Sequence, residues 1–254
     1  MGANEAEHRT QKTEHRGNPY YGFNYTFCVL RSAFYILNFM RGLFITFEGI
    51  EGSGKSTLLY NVAGAMRRSG LDPLMTREPG GTSLGVALRK VLLNPDMEKI
   101  GSKAELMLFA ADRAQHVSQV ILPALETGQI VLCDRYSDAT FAYQGHGRGI
   151  PLDVIADVDN QARSGAIPHM TVLLDLPVET GLTRARSRND ESRDSSESRI
   201  DEEEMAFHQR VREGYLMLAG NEPQRFLVLD ALEKPGRLEE LVMDEFRLRF
   251  PDAV

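Results

Sequence analysis

An α/β architecture, a five-stranded parallel sheet flanked by helices, is what this sequence predicts, and three observations carry the prediction. Short apolar runs without polar alternation recur at 43–47, 74–76, 130–133, 171–174 and 226–229, as in strands covered on both faces. Segments of helical length separate them, among them 102–126 and 202–219, and a repeating strand-helix order implies parallel pairing. The third observation is a glycine-rich loop, 49–56, placed between the first run and the first amphipathic segment. At 254 residues, with 42% hydrophobic and 26% charged residues, the composition is that of a globular chain and excludes disordered and collagen-like classes.

Taken in order, residues 1–18 are polar, and residues 20–39 hold eight of the twenty Phe and Tyr. The apolar part, 26–40, is interrupted by Arg31 and Asn38 and falls short of the ~20 apolar residues of a membrane span. It also lacks the uninterrupted centre and cleavage site of a signal peptide, so no membrane partner is expected and residues 1–39 read as an extension outside the fold. The domain then runs from 40 to 254. Its first strand leads through the loop into a helix with Leu58, Leu59, Val62 and Met66 on one face, closed by Gly70. Only the 184–199 stretch is biased, with Arg, Ser, Asp and Glu but no apolar face, and it reads as a mobile surface segment.

Charge and cysteine content narrow the functional classes. A formal net charge of -7 argues against wholesale binding to nucleic acid, so an anionic ligand must be caught locally. Only six of the 29 basic residues are lysines; arginine's rigid fork suits phosphate, although a count alone is equally compatible with genomic base composition. Two cysteines, Cys28 and Cys133, are too few for a disulfide framework or a four-ligand zinc site and suit a reducing compartment, which leads us to expect the cytoplasm. The six histidines show no metal-ligand spacing and read as incidental.

Gly49-Ile50-Glu51-Gly52-Ser53-Gly54-Lys55-Ser56 satisfies G-x-x-x-x-G-K-[ST] at every fixed position, and Thr57 follows. This is the P-loop, and it predicts the P-loop NTPase fold with ATP as ligand. Backbone N–H groups converge on phosphate oxygens at a helix N-terminus, Lys55 reaches the β- and γ-phosphates, and the Ser56 hydroxyl can bind Mg²⁺. A second metal-side acid is expected at Asp134, which ends the buried run before Arg135. No Asn-Lys-x-Asp base-reading segment is present, which disfavours a signalling GTPase. A small phosphotransferase remains, holding two anionic substrates with separately placed arginines and a closing lid.

Five segments carry a closer resemblance: the P-loop with Glu51 inside it, the run Thr76-Arg77-Glu78-Pro79-Gly80-Gly81-Thr82, the run Leu108-Phe109-Ala110-Ala111-Asp112-Arg113, the pair Asp134-Arg135-Tyr136 and Ala142-Tyr143-Gln144-Gly145, and Arg184-Ala185-Arg186. In this order and spacing, over about 43–250, the chain resembles bacterial thymidylate kinase. The resemblance implies transfer of the γ-phosphoryl of ATP to dTMP with Mg²⁺, in a homodimer. It implies that Phe109 stacks on thymine, Arg113 donates to its O4, and Thr140 and Gln144 lie along the base edge. Arg89 and Arg135 are implied on the monophosphate, Tyr143 where a ribose 2′-hydroxyl would sit, Glu51 near the 3′-hydroxyl, and Glu78 among the substrate contacts.

Some family members carry a basic residue within the P-loop; here Ile50, Glu51, Gly52 and Ser53 are not basic. The missing charge is expected from a lid at about 184–200, with Arg184 on the nucleotide and Arg199 as the catalytic arginine, ahead of Arg193. Another nucleotide kinase on the same fold, or a catalytically silent nucleotide-binding module, are the competing readings. Loss of Lys55 or Asp134 would have marked silence, and both are present.

Overall fold

The computed structural model describes residues 42–95, 98–192, 200 and 203–253, the side chains of 188–192 excepted. Five strands form one sheet: β1 (Phe44–Glu48), β2 (Leu74–Arg77), β3 (Val131–Asp134), β4 (Met170–Asp175) and β5 (Phe226–Asp230). Their order is β2-β3-β1-β4-β5 and every pairing is parallel, as the unalternated apolar runs require. Each expected strand is present, with ends displaced by at most one residue. β1 is buried along its whole length, so its one carboxylate, Glu48, enters the interior at the end of an otherwise uncharged strand.

The helices between the strands are α1 (Lys55–Arg68), α2 (Ser83–Leu93), α3 (Ser102–His116), α4 (Leu122–Glu126), the single turn α5 (Ser137–Thr140), α6 (Leu152–Arg163), α7 (Val178–Ser192), α8 (Met205–Asn221) and α9 (Pro235–Arg249). A π-helical turn, Val117–Ile121, joins α3 to α4, and a second one, Phe141–Gly147, follows α5. Among the described residues no helix is long and apolar enough to cross a membrane. α1 buries Leu58, Leu59, Val62 and Met66, the face its spacing predicts, into a core with Ile45 and Phe47 of β1 and with Val242 and Phe246 of α9. Phe44, one residue out of phase with Ile45, packs instead with Ile121, Leu125, Val131 and Tyr136. The period-two reversal of a strand thus feeds two cores from one β1.

The stretch from Arg184, which reads as a mobile surface segment from its composition, is carried in helix to Ser192 by α7. Burial of Val178, Leu182 and Ala185 anchors that helix, and Arg and Ala are good helix formers, so the segment extends from a seated base without an apolar face of its own. Residues 193–199 lie outside the described residues. α8 begins at Met205, three residues after the expected start.

Candidate active site

β1 and β3 pair in a register that sets Phe47 opposite Asp134, so the strand ends that deliver the glycine-rich loop and the acid lie side by side. Open parallel sheets place ligands at this end of their strands. The loop closes on itself: Lys55 Nζ donates to the Ile50 carbonyl at 3.1 Å, and Ser56 Oγ donates to Asp134 Oδ2. Gly52 is at φ +70, and a Cβ there would meet the Gly181 carbonyl at 2.1 Å. No other residue fits where α7 crosses the loop. Arg184, from the same helix, donates to the Ala231 carbonyl at 3.3 Å, with its Cβ beside Gly52.

Asp134 and Ser56 offer adjacent carboxylate and hydroxyl oxygens, the hard donors that Mg²⁺ takes alongside water and phosphate; the residues fit the ion. No group of three or more His, Cys, Asp or Glu suited to hold a metal exists among the described residues, so these two residues would hold the ion only together with phosphate and water. Burial, with Arg135 adding to it, pulls the Lys55 ammonium down to about 8. An arriving polyphosphate therefore meets a cation that lacks full compensation.

Arg135 is the pivot of the site. It is one of two non-glycine residues with positive φ among the described residues, at +68, a conformation that costs a non-glycine residue about 1–3 kcal/mol. Its NH2 donates to Glu51 Oε1 at 2.9 Å and its NH1 to the Tyr215 hydroxyl at 3.2 Å, while the guanidinium lies 4.9 Å from the Tyr143 ring centroid. Tyr215 passes the chain on, donating to Glu48 Oε2 at 2.7 Å, and the Tyr136 N–H donates to Glu48 Oε1 at 2.7 Å. Burial, reinforced by Asp138, raises Glu48 to about 8. Glu51 behaves oppositely. Burial works to raise it too, but His208, Arg135, Lys55 and Tyr143, whose hydroxyl donates to Oε1 at 2.6 Å, together hold it well below the usual carboxylate range.

The other end of the cleft is built from α3, α5, the second π turn and the residues after β2. Arg113 is 2% exposed and donates from Nε to Glu78 (2.9 Å), from NH1 to Asp159 (2.8 Å), and from NH2 to the Tyr136 carbonyl (3.0 Å) and Thr140 Oγ1 (2.9 Å). Glu78 also meets His116 Nδ1 at 2.9 Å, and His116 Nε2 lies 2.6 Å from Thr76 Oγ1. A Cβ on Gly81 would fall 2.3 Å from that imidazole, so the loop after Pro79 packs on His116 only as glycine. Burial, and Glu78 beside it, push Asp112 up to about 6. Gln144 donates to Glu105 Oε1 at 2.9 Å, and Arg148 holds Glu105 and reaches Glu203. Phe109 is half-buried and offers an aromatic face.

These two ends share one open cleft. Glu51, Gly52, Lys55, Ser56, Asp134 and Arg135 line one part; Glu78, Arg89, Phe109, Arg113, Thr140, Tyr143 and Gln144 line the rest, with Arg77 and Ile200. Arg89 donates to the Pro79 carbonyl at 3.1 Å from the wall. Gly49, Ile50, Ser53 and Gly54 stay in the loop behind the lining, and Thr57 is the third residue of α1. Arg184 is not in the lining, and Arg199 lies outside the described residues, one position before Ile200.

Sequence reasoning missed Glu48, Tyr215, Asp159, Glu105 and Arg148, and it read His116 and His208 as incidental. A lone carboxylate ending a buried strand was a usable signal for Glu48. Tyr215 and His208 sit on an amphipathic helix and carried none.

The family model for thymidylate kinase matches residues 47–242. The thymidylate kinase of Trichlorobacter lovleyi is 51% identical over 202 residues, covering 80% of this chain and 95% of its own. That of Desulfovibrio desulfuricans is 50% identical over 194 residues, 76% of this chain and 89% of its own. The crystal structure of thymidylate kinase from Ehrlichia chaffeensis superposes with a TM-score of 0.64 at 30% identity, covering 81% of this chain and 98% of that one. The matched span runs unbroken from the end of β1 into α9 and so takes in every element that lines the cleft: the chain belongs to the thymidylate kinase family.

Proposed function

We propose that the cleft holds dTMP with its base toward Phe109, Arg113, Thr140 and Gln144 and its phosphate toward Arg135 and Arg89, while ATP lays its phosphates on the 49–57 loop. ATP-dependent phosphorylation of dTMP to dTDP is the reaction of the family to which the chain belongs. A dTMP phosphate oxygen bonds to the γ-phosphorus as the bond to the β–γ bridging oxygen breaks, and ADP carries that electron pair away. No covalent enzyme intermediate is needed, because the step asks for in-line positioning and charge neutralisation rather than a strong base. Lys55 and Arg135 supply the positive charge from the described residues, and Arg199 supplies more from the lid at about 184–200. Ser56 and Asp134 would hold Mg²⁺, which would supply charge neutralisation at the phosphates.

The observation that carries this reading is the continuity of the cleft: phosphate-loop residues and base-side residues line a single space. Tyr143 occupies the wall where a ribose 2′-hydroxyl would point, and Glu51 sits within the same wall for the 3′-hydroxyl. A coupled ADP-release assay over nucleoside monophosphates tests it. We expect dTMP to be preferred, dUMP to be poorer and UMP to be rejected; comparable kcat/KM for CMP or AMP would overturn the base assignment. In the same assay Arg199→Ala should lower kcat by at least roughly two orders of magnitude, and a larger loss in Arg193→Ala would transfer the role.

The reading extends to the whole chain. Residues 40–254 form the kinase domain and residues 1–39 an extension, supported by the 95% of the Trichlorobacter relative that four-fifths of this chain accounts for. A chain starting at Met40 should keep its turnover. The active form is a homodimer, supported by the exposed apolar side chains Val86, Met107, Leu152 and Val154 on α2, α3 and α6, and it works in the cytoplasm, in keeping with the unpaired Cys133.

A further inference from the structure

Glu51 in the wall of the cleft and His208 buried behind it face each other, each with polar atoms that lack a partner. Glu51 Oε1 accepts from Arg135 and Tyr143, but its Oε2 is buried with no hydrogen bond. Opposite it lies the ring of His208, from the first turn of α8, fully buried with neither Nδ1 nor Nε2 hydrogen-bonded. The gap from Nδ1 to Oε2 is 3.4 Å, a few tenths of an ångström beyond a hydrogen bond. Buried polar atoms left unpaired are costly, and here two such atoms could satisfy one another by a small approach. The surroundings are firm: Phe207 meets the Tyr143 ring edge-on at 6.2 Å and lies under the Arg148 guanidinium at 4.6 Å.

We propose that His208 is a positioning residue for Glu51: its Nδ1–H donates to Oε2, completing the set of donors that fixes the carboxylate plane, so that the remaining lone pair of Oε2 meets the sugar 3′-hydroxyl of dTMP. Arg135 and Tyr143 pin one oxygen only, and a carboxylate held at one oxygen still swings about its Cγ–Cδ bond. A donor from α8 removes that freedom. Lys55, the remaining charged neighbour of Glu51, is turned to the Ile50 carbonyl and cannot replace it. The inference rests on the placement of Glu51 against the 3′-hydroxyl proposed above.

Steady-state kinetics of the full chain with dTMP and with its 3′-deoxy analogue test both statements separately. The unaltered chain should bind dTMP better than the analogue. His208→Leu should raise KM for dTMP roughly 3- to 10-fold, the worth of one hydrogen bond, while leaving KM for the analogue and kcat for dTMP within about two-fold. His208→Asn, whose amide nitrogen falls near the place of Nδ1, should keep most of the affinity. If His208→Leu does not fold, His208→Gln serves instead, because its nitrogen falls near the place of Nε2. An unaltered chain indifferent to the 3′-hydroxyl overturns the Glu51 placement and this inference with it. A chain that discriminates, but in which the His208 substitution weakens both substrates equally, overturns the role of His208 alone.

Discussion

At the phosphate-loop end of the cleft Lys55 donates to one backbone carbonyl and, among the described residues, to no side chain; at the other end Arg113 meets two carboxylates, a carbonyl and a hydroxyl. Both cations are buried, yet one is left electrostatically open and the other is closed. The Lys55 ammonium is pulled down to about 8, whereas the two carboxylates hold the Arg113 guanidinium charged more firmly than usual against its burial. An open cation gains most when a polyphosphate arrives. A closed one gains little from any ligand, so its interactions serve the shape and rigidity of that end of the cleft. The cleft thus divides its labour: charge is left uncompensated at the glycine-rich loop and paired around Arg113.

That contrast breaks first if Lys55 is removed. Lys55→Met should lower kcat/KM by roughly 10²- to 10³-fold and leave the melting temperature nearly unchanged, as the lost ammonium had a single backbone partner; an activity loss under ten-fold would put the charge elsewhere. At the other end the sign of the trade reverses. Arg113→Ala strands Glu78 and Asp159 in the interior, and breaking a buried pair costs about 3–5 kcal/mol. For a domain of this size that is a drop of roughly 6–20 °C in Tm by calorimetry, and a fall of a degree or two would show that this end is not closed.

Arg135 joins the two ends, and a subtler variant probes it. Tyr215→Phe deletes the hydroxyl between the Arg135 NH1 and Glu48 Oε2, and should cost about 1–3 kcal/mol of stability in urea unfolding together with a several-fold loss in kcat. Loss of stability with kcat intact would make Tyr215 a core residue only.

Smallest is a pH effect. Glu48 is raised from 4.5 to about 8 in the folded chain, so between those values the folded state holds a proton that the unfolded state has lost. Stability must then fall as pH rises across that window. Asp112, raised to about 6, contributes in the same direction only below that pH. Lys55, lowered to about 8, begins to titrate in the same window with the opposite sign, so Glu48 is read by difference between denaturant midpoints at pH 6 and pH 8: the unaltered chain should lose stability over this step and Glu48→Gln should lose less, and parallel profiles would exclude a protonated Glu48.

The phosphate end was legible because its parts are local. Gly49 to Ser56 are consecutive, and backbone conformation, helix N-terminus and Lys55 are all set within one loop. Asp134 needed one more inference, that two apolar runs become neighbouring strands, and the register Phe47 to Asp134 supplies it. The rest of the cleft resisted because its partners lie far apart in sequence: Arg113 to Asp159 spans 46 residues, Arg113 to Glu78 spans 35, and Glu51 to His208 spans 157. Helical periodicity reports which face of α3 or α8 is buried; it cannot report which carboxylate waits on the other side.

The sequence alone therefore determined the sheet and its parallel sense, the glycine-rich loop and the strand-end acid beside it, and, through five spaced segments, the family. Apolar periodicity and loop chemistry act within a few residues, and those short-range rules survive being read as text. Only the tertiary structure decided that Glu48 is raised while Glu51, three residues on, is held down. It also set Arg135 in a strained backbone conformation between Glu51 and Tyr215, and brought two incidental-looking histidines against site carboxylates. Desolvation and Coulomb interaction depend on distance through space, and distance through space is what a chain acquires when it packs.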